Sequence, residues 1–207
     1  MSIWALVPQK ALADVKRRLS PLLSDEARCT LARLMLADVL ATLRSVKGLS
    51  GIAVVTPDRS LVPDDMLAID DPGAGLNAAL GHGAEVLEQR GARVALIVPS
   101  DVPLATAAEI ESILEAGWRT PIVIVPDRHH HGTNAIFLPL PAPMPFRFGA
   151  DSCAEHIASA RMAGLATAAL PLPGLGFDID EPNDVSDLAR RAPGRYASLL
   201  PRLQVAS

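Results

Sequence analysis

Short runs of apolar residues alternate along this chain with longer segments whose apolar positions recur every three or four residues. The short runs predict buried strands at residues 3–7, 52–56, 94–98, 122–125 and 134–138, with shorter candidates before Gly73, at 167–170 and at 177–179. The longer segments predict helices, including residues 76–89 and a stripe from Leu31 to Leu43. This alternation indicates an α/β fold whose mixed, mostly parallel sheet is flanked by helices. Because ligands of such folds gather beyond the carboxyl ends of strands, the residues after each strand are the first candidates for chemistry.

Polar residues mark the expected helix starts. Ser24 is a predicted N-cap that is followed by two acidic residues. Capping boxes are predicted at residues 106–109 and 152–155, where Ser or Thr precedes Glu by three positions. Pro182 suits the first turn of a last helix running to about residue 191, and Glu181 and Asp184 are expected to serve its start.

Composition narrows the class of protein. The 207 residues are 49% hydrophobic and 20% charged, which favours a single domain over residues 1–207 with an ordinary core. The formal net charge of −4 and the 3% aromatic content argue against a general nucleic-acid binder, which needs cations for phosphates and rings for stacking. Two cysteines do not make a disulfide framework or a zinc site. A membrane span would need about 18 consecutive apolar residues, and none is present, so a cytoplasmic location is expected.

A cluster of cations follows the first strand. Lys10, Lys16, Arg17 and Arg18 lie within nine residues of an otherwise acidic chain, a pattern that suits the binding of a polyphosphate. A solvated basic loop is the alternative. Neither the GxxxxGK[ST] nor the GxGxxG phosphate loop occurs in the sequence.

Three carboxylates follow predicted strands. Asp101 comes after the strand at 94–98, between two prolines, and Asp178 and Asp180 should point to the same side of an extended segment. Hard oxygen ligands of this kind suit Mg²⁺, which proteins hold with one or two carboxylates plus substrate phosphates. A turn or helix cap is the alternative for Asp101, and solvent-exposed acids before a helix are the alternative for the pair.

Glycine-containing turns supply further candidates. Gly73 and Gly75 precede a helix whose Asn77 is placed to read a base edge or a ribose, although a plain helix start is the alternative. The turns at 132–134 and 148–152 present backbone N–H and hydroxyl donors for an anion such as a carboxylate. The run His129-His130-His131 is interpreted as a loop with incidental histidines, because adjacent side chains diverge; its role stays open. His156 is expected at the surface or at the edge of the core.

In their order and spacing, these motifs resemble the 2-phospholactate or phosphoenolpyruvate guanylyltransferase family of deazaflavin coenzyme F-420 biosynthesis. The resemblance covers almost the whole chain and rests on the motifs at residues 7–10, 16–20, 75–77, 99–104, 126–128, 132–135, 148–152 with His156, and 177–182. It implies the fold of the nucleotide-diphospho-sugar transferases, a single Rossmann-like domain. It also implies an enzyme that joins GMP from GTP to a phosphorylated three-carbon acid and releases pyrophosphate.

The resemblance further implies roles for particular residues. They are Asp101, Asp178 and Asp180 as Mg²⁺ ligands; Lys10, Lys16 and Arg18 as triphosphate contacts; Asn77, with Gly73 and Gly75, on the nucleoside side; and Thr133, Gly149 and Ser152 as contacts to the acid's carboxylate. The acceptor stays open among 2-phospholactate, phosphoenolpyruvate and 3-phosphoglycerate, as do the strictness of guanine preference and the oligomeric state, with a homodimer among the alternatives. Other hypotheses are transfer to a sugar phosphate or a pterin phosphate, and a nucleotide-binding domain without catalysis.

Overall fold

A computed structural model describes residues 2–12 and 15–197. Its strands are β1 (Ile3–Pro8), β2 (Gly51–Thr56), β3 (Leu67–Asp70), β4 (Val94–Ile97), β5 (Ile122–Pro126), β6 (Thr133–Pro139) and β7 (Thr167–Ala169). Its helices are α1 (Asp25–Ser45), α2 (Leu76–Gln89), α3 (Ala107–Gly117), α4 (Ser152–Met162), α5 (Pro182–Arg191) and α6 (Pro193–Tyr196), with short 3₁₀ turns at Arg17–Leu19 and Arg59–Leu61. The five longer strands and the shorter ones before Gly73 and at 167–170 are thus confirmed to within about two residues.

The strands form one seven-stranded sheet in the order β3-β2-β1-β4-β6-β5-β7. Strand β6 runs antiparallel to both neighbours, and the other pairings are parallel, so the predicted mixed, mostly parallel sheet is confirmed. Because β6 is reversed, its first residue, Thr133, lies at the edge of the sheet where β4 and β5 end. That edge collects most of the residues singled out from the sequence.

Apolar side chains cover both faces of the sheet. Helices α1 and α3 pack on one face and helices α2 and α4 on the other. A third cluster joins the start of α1 to α5 and α6, and it includes the buried side chains of Phe177 and Ile179. No helix of the described chain is both long enough and apolar enough to cross a bilayer.

The predicted helix starts are confirmed at Ser24, whose hydroxyl accepts from an N–H of α1, and at Thr106, which forms a complete capping box with Glu109. The start of α5 at Pro182 is also confirmed. The capping box predicted at Ser152 is wrong. The N-cap of α4 is instead Asp151, in the left-handed region at φ 55°, so that Ser152 is already helical. Asp151, the residue before the predicted N-cap, adopts the conformation that precedes the helix, and the spacing of Ser152 and Glu155 does not predict this.

The strand predicted at residues 177–179 is also wrong, because this segment joins no sheet. Its backbone groups are satisfied elsewhere: the N–H of Ile179 donates to the carbonyl of Asp101 (3.1 Å), and the carbonyl of Asp178 accepts from Arg128 (2.7 Å). Burial of Phe177 and Ile179 against α1 and α5 explains the strand-like apolar alternation. The apolar alternation therefore predicts correctly that Phe177 and Ile179 are buried, and predicts incorrectly that the segment pairs with a strand.

Candidate active site

A cavity of about 450 Å³ opens beyond the carboxyl ends of β1 and β4. Its charged lining consists of Lys10, Lys16, Arg17, Arg18, Asp101 and Asp180, residues drawn from three distant parts of the sequence. The cationic segment after β1 and two of the three candidate carboxylates therefore meet at one place. Such a mixture of charges suits an anionic ligand better than an apolar one.

Lys16 lies at the centre of this cavity. Its Nζ lies 2.6 Å from Oδ2 of Asp101 and 2.9 Å from Oδ1 of Asp180, and its side chain is only 11% exposed. Burial alone would lower the pKa of Lys16, but the two carboxylates outweigh it and raise the pKa to about 12. Lys16 is therefore a permanent positive charge between two carboxylates. Arg18 adds a second, outer cation 3.8 Å from Asp180.

The backbone around Lys16 is held by helix α1. Lys16 has φ 52°, in the left-handed region that a residue with a side chain rarely adopts. The guanidinium of Arg28, a buried residue, donates to the carbonyl of Val15 (3.1 Å) and pairs with Asp25 at 2.5 Å. Arg28 thus fixes the residue before Lys16 and helps to keep the strained turn in place.

Asp178 is the least neutralised carboxylate of the group. Its Oδ1 accepts from the side-chain amide of Asn134 at 3.2 Å, and the same amide nitrogen donates to the carbonyl of Leu175. Burial raises the pKa of Asp178, and the charges of Asp101 and Asp180 raise it further, against the opposing effect of Asn134. Burial also works to raise the pKa of Asp180, but the charge and hydrogen bond of Lys16 keep it below its usual value.

This set of side chains has the chemistry of a divalent-cation site. Oxygen donors are what Mg²⁺ prefers, and the charges of Asp101 and Asp180 add to that of Asp178, whose pKa they raise together with burial. Within the described chain, no three His, Cys, Asp or Glu side chains are grouped so as to enclose a metal ion as they stand. The ammonium of Lys16 lies between two of the carboxylates, in a position that suits a cation. The residues therefore fit Mg²⁺ by donor type and charge.

The residue that holds the acidic segment is one for which the sequence predicts no role. Arg128, in the turn after β5, donates to the carbonyl of Asp178 (2.7 Å) and pairs with Asp184 (2.9 Å). The carboxylate of Asp184 in turn accepts from the N–H groups of Asp180 and Glu181, as expected for the start of α5. Arg128 also stacks on the ring of Phe177, at 4.3 Å from the ring centre. The sequence shows that Arg128 lies in a motif that follows a strand, but it does not show that its partners are Asp178 and Asp184, 50 and more residues later.

A second group of residues surrounds the start of β6. Thr133 is buried, and its hydroxyl lies 3.0 Å from Nδ1 of His156, which is fully buried in α4. The N–H of Arg147 donates to Nε2 of the same imidazole (2.9 Å). The expectation of an edge or surface position for His156 is therefore wrong: polar partners on both nitrogens allow the ring to be buried.

Asn77, at the start of α2, contacts this second group. Its amide donates to the carbonyl of Phe148 (3.1 Å) and accepts from the N–H of the same residue (2.8 Å). The ring of Phe148 also meets that of His156 edge-on, with centres 4.8 Å apart. Asn77 thereby connects the helix that follows Gly73 and Gly75 to the turn that leads to Gly149.

The predicted residues fall into two neighbouring groups. Lys10, Lys16, Arg18, Asp101 and Asp180 line the cavity, and Asp178 joins them through its charge interactions. The residues that do not line this cavity are Gly73, Gly75, Asn77, Thr133, Gly149 and Ser152, of which the last three lie around β6 and α4. Asn134 connects the two groups, since it follows Thr133 in β6 and its amide binds Asp178. His129, His130 and His131 are in the loop between β5 and β6, and among the residues that the structure describes they belong to no group that could hold a metal ion.

Comparison with known protein families decides the class. Residues 3–202 match the family described as "Guanylyl transferase CofC like". This chain belongs to that family. CofC-like relatives include proteins named phosphoenolpyruvate guanylyltransferase from Sphaerobacter thermophilus, 39% identical over 93% of this chain and 95% of the relative, and from Rubrobacter xylanophilus, 35% identical over 91% and 94%. The predictions of the family and of a nucleotidyltransferase enzyme are confirmed.

Solved structures confirm the fold of this CofC-like chain. A putative nucleotide-diphospho-sugar transferase from Desulfovibrio desulfuricans G20 superimposes with a TM-score of 0.75 at 20% identity, covering 93% of this chain and 88% of that one. A 4-diphosphocytidyl-2C-methyl-D-erythritol synthase from Anaerococcus prevotii gives a TM-score of 0.63 at 10% identity, covering 93% and 96%. The nucleotide-diphospho-sugar transferase fold predicted by the resemblance is therefore present.

Proposed function

We propose that this CofC-like chain transfers GMP from GTP to the phosphate of a phosphorylated three-carbon acid, with release of pyrophosphate, as a step of coenzyme F-420 biosynthesis. The observation that carries the proposal is the cavity in which Lys16 joins Asp101 and Asp180 beside Lys10 and Arg18. Phosphoenolpyruvate is the acceptor to test first, because the similar proteins from Sphaerobacter thermophilus and Rubrobacter xylanophilus are named phosphoenolpyruvate guanylyltransferase. 2-Phospholactate and 3-phosphoglycerate are the other candidate acceptors.

The proposed reaction needs no strong general base. A phosphate monoester has a second pKa of about 6, so an oxygen of the acceptor is already ionised near neutrality. That oxygen forms a bond to the α-phosphorus of GTP, the bond from this phosphorus to the bridging oxygen breaks, and pyrophosphate leaves with the electron pair. Catalysis then depends on alignment and on neutralisation of charge.

The cations of the cavity supply that neutralisation. Lys16, fixed by Arg28 and the left-handed turn, is proposed to bind the triphosphate from the interior, and Lys10 and Arg18 from the rim. Because Lys16 keeps its proton at every physiological pH, it acts as a fixed charge and not as a proton donor. Gly73, Gly75 and Asn77 are proposed to face the nucleoside, from the start of α2.

Asp101, Asp178 and Asp180 are proposed to hold Mg²⁺. Bound there, Mg²⁺ would offset negative charge on the reacting phosphates. The chain supports this proposal by holding the segment with Asp178 and Asp180 next to Asp101, through the hydrogen bond from the N–H of Ile179 to the carbonyl of Asp101 and through the contacts of Arg128 and Asp184. Thr133, Gly149 and Ser152 are proposed to bind the carboxylate of the acceptor with hydroxyl and N–H donors.

The remaining proposals concern the surroundings of the reaction. Both substrates are small, highly charged phosphates, for which a cytoplasmic enzyme of one domain over residues 1–207 is the simplest arrangement. We propose no nucleic-acid or membrane partner, and a homodimer is an arrangement to be tested by sedimentation.

The deciding experiment measures pyrophosphate release in Mg²⁺ with GTP and each of the three acids separately, and then with ATP, CTP and UTP in place of GTP. Release with GTP and one of the acids, together with the mass of the guanylylated product, supports the proposal. Release only with a sugar phosphate or a pterin phosphate would establish a different acceptor, and no release with any pair would indicate a binding domain.

The variant that tests the role of the carboxylates in this assay is Asp101→Asn. It removes one negative charge next to Lys16 and keeps the size of the side chain, so we expect an unchanged circular dichroism spectrum and loss of most turnover. Near-normal pyrophosphate release by this variant would overturn the role assigned to Asp101.

A further inference from the structure

The imidazole of His156 connects three segments that carry the proposed carboxylate contacts. It lies in the first two turns of α4, which begins at Ser152, and it contacts the hydroxyl of Thr133 and the N–H of Arg147, two residues before Gly149. The ring is fully buried. One side chain thus fixes the relative positions of the three segments.

The hydrogen-bond partners determine which nitrogen of His156 carries the proton. The N–H of Arg147 can only donate, so Nε2 must be the acceptor and must lack a hydrogen. Burial lowers the pKa of His156 to about 4, so that the ring is neutral near neutral pH and has one N–H. That hydrogen must therefore be on Nδ1, where it donates to Oγ1 of Thr133.

This assignment leaves the hydroxyl hydrogen of Thr133 available. Because Oγ1 accepts from His156, its own hydrogen is not used in that bond. In the described part of the chain, no other hydrogen bond of this hydroxyl is present. With the opposite tautomer, the hydroxyl would have to donate to the imidazole and could offer only lone pairs to a ligand, which would repel a carboxylate.

We propose that His156 is a positioning residue for the acceptor acid: by accepting from Arg147 and donating to Thr133, it directs the hydroxyl hydrogen of Thr133 toward the acid's carboxylate. The inference rests on the proposed function, because it takes Thr133 as a carboxylate contact. His156 itself does not touch the substrate. Its effect is specific to the acceptor, since none of its contacts is with the cations or carboxylates of the cavity.

Two substitutions separate the two hydrogen bonds. His156→Gln can place an oxygen near the position of Nε2, which keeps the acceptor for Arg147 and removes the donor to Thr133. His156→Asn can place an N–H near the position of Nδ1, which keeps the donor and removes the acceptor. We expect the KM for the acid to rise about tenfold or more in the first variant, the size of one hydrogen bond to a charged group, and less in the second.

Steady-state kinetics then distinguish positioning from general damage. The KM for GTP and kcat should stay within about twofold of wild type in His156→Gln, because the cavity around Lys16 is untouched. Equal losses in both substrates, or a larger loss of acid binding in His156→Asn than in His156→Gln, would overturn the inference.

A double-mutant cycle tests whether His156 acts through Thr133. Thr133→Val removes the hydroxyl and keeps the shape, and Thr133→Ser is the control that retains the hydroxyl. If His156 acts through this group, His156→Gln adds no further increase in the KM for the acid to the Thr133→Val background. Independent, multiplicative effects would contradict the proposal.

Nitrogen-15 NMR of the free protein gives a readout that does not depend on activity. The Nδ1–H tautomer should be present at pH 7, and the Nε2–H tautomer would overturn the assignment. Failure of the proposed function is a separate result: it would appear as wild-type protein that transfers no GMP to any of the acids. An active wild type whose acid KM is unaffected by His156→Gln would refute only the inference.

Discussion

The ammonium of Lys16 lies 2.6 Å from the carboxylate of Asp101, although 85 residues separate them in the sequence. Lys16 comes from the turn after β1 and Asp101 from the turn after β4, and these two strands are neighbours in the sheet. A cationic loop and an acidic turn, each of which is ordinary alone, thus form one site because the sheet places their strand ends side by side.

Replacement of Lys16 by Gln should lower kcat/KM for GTP by about 100-fold or more, because a fixed, buried charge aimed at the triphosphate is lost. The measurement is pyrophosphate release at saturating acceptor. Lys47→Gln is the matched control, since Lys47 is an exposed lysine at the other end of α1. A Lys16→Gln enzyme within threefold of wild type would remove Lys16 from the site.

Arg128→Met should weaken the binding of a divalent cation, because the carbonyl of Asp178 and the carboxylate of Asp184 both lose their guanidinium partner. Binding of Mn²⁺, measured by electron paramagnetic resonance without substrates, is expected to weaken about tenfold. Arg191→Met is the control, because the guanidinium of Arg191 also stacks on the ring of Phe177, at 4.5 Å from its centre, but is not among the hydrogen-bond partners that the described chain gives to the carbonyl of Asp178 or the carboxylate of Asp184. Equal weakening in both variants would mean that stacking on Phe177, and not the hydrogen bonds of Arg128, matters.

The protein should become less stable as the pH decreases, because His156 is buried in its neutral form. Its pKa in the folded chain is about 4, below the value of about 6.5 for an unfolded histidine, so the unfolded state binds more protons between these values. The free energy of unfolding is therefore expected to decrease as the pH falls from about 6.5 toward 4, by up to about 1.4 kcal/mol per pH unit from this residue. Urea unfolding at pH 7, 6 and 5 measures it.

The same titration in His156→Gln isolates the contribution of the imidazole, because every other ionisable group is shared. The difference between wild type and variant should shrink steadily below pH 6.5. A difference that does not change with pH would show that His156 has an ordinary pKa in the folded protein.

Asn77→Ala should weaken the binding of both substrates. Both ends of the Asn77 amide bind the backbone of Phe148, which precedes Gly149, so their loss frees the turn that is proposed to bind the acid, and the proposed nucleoside contact is lost with the same side chain. We expect the KM for the acid and the KM for GTP each to rise several-fold. A rise in the KM for the acid alone would contradict the nucleoside contact proposed for Asn77.

The strands, most helix starts and the position of the charged residues beyond the strand ends could be predicted from the sequence, because these depend on local patterns. Short continuous runs of apolar residues define β1 and β4, and a capping box at Thr106 is complete within four residues. The same local reasoning failed at residues 177–179, where the apolar alternation reflects packing against α1 and α5 and the backbone groups bond to Asp101 and Arg128 instead of to a neighbouring strand.

What could not be predicted are the buried side chains that connect distant segments. Arg128 binds partners 50 and more residues away, and His156 binds Thr133 across 23 residues. A lone arginine or histidine gives no sign of such a partner, since its role depends on which backbone group lies unpaired beside it after folding.

The reversed direction of β6 has a consequence for how this protein can diversify. The proposed triphosphate contacts Lys10, Lys16 and Arg18, together with Asp101, follow β1 and β4, whereas Thr133 enters from the start of a strand that runs the other way. The tip of the hairpin between β5 and β6, residues 129–131, can therefore change in length or composition without shifting Lys16 or Asp101, as long as Arg128 keeps its contacts with the acidic segment. A search for a new acceptor would vary this tip and the turn at residues 148–152, and would leave Lys16, Asp101 and Arg128 unchanged.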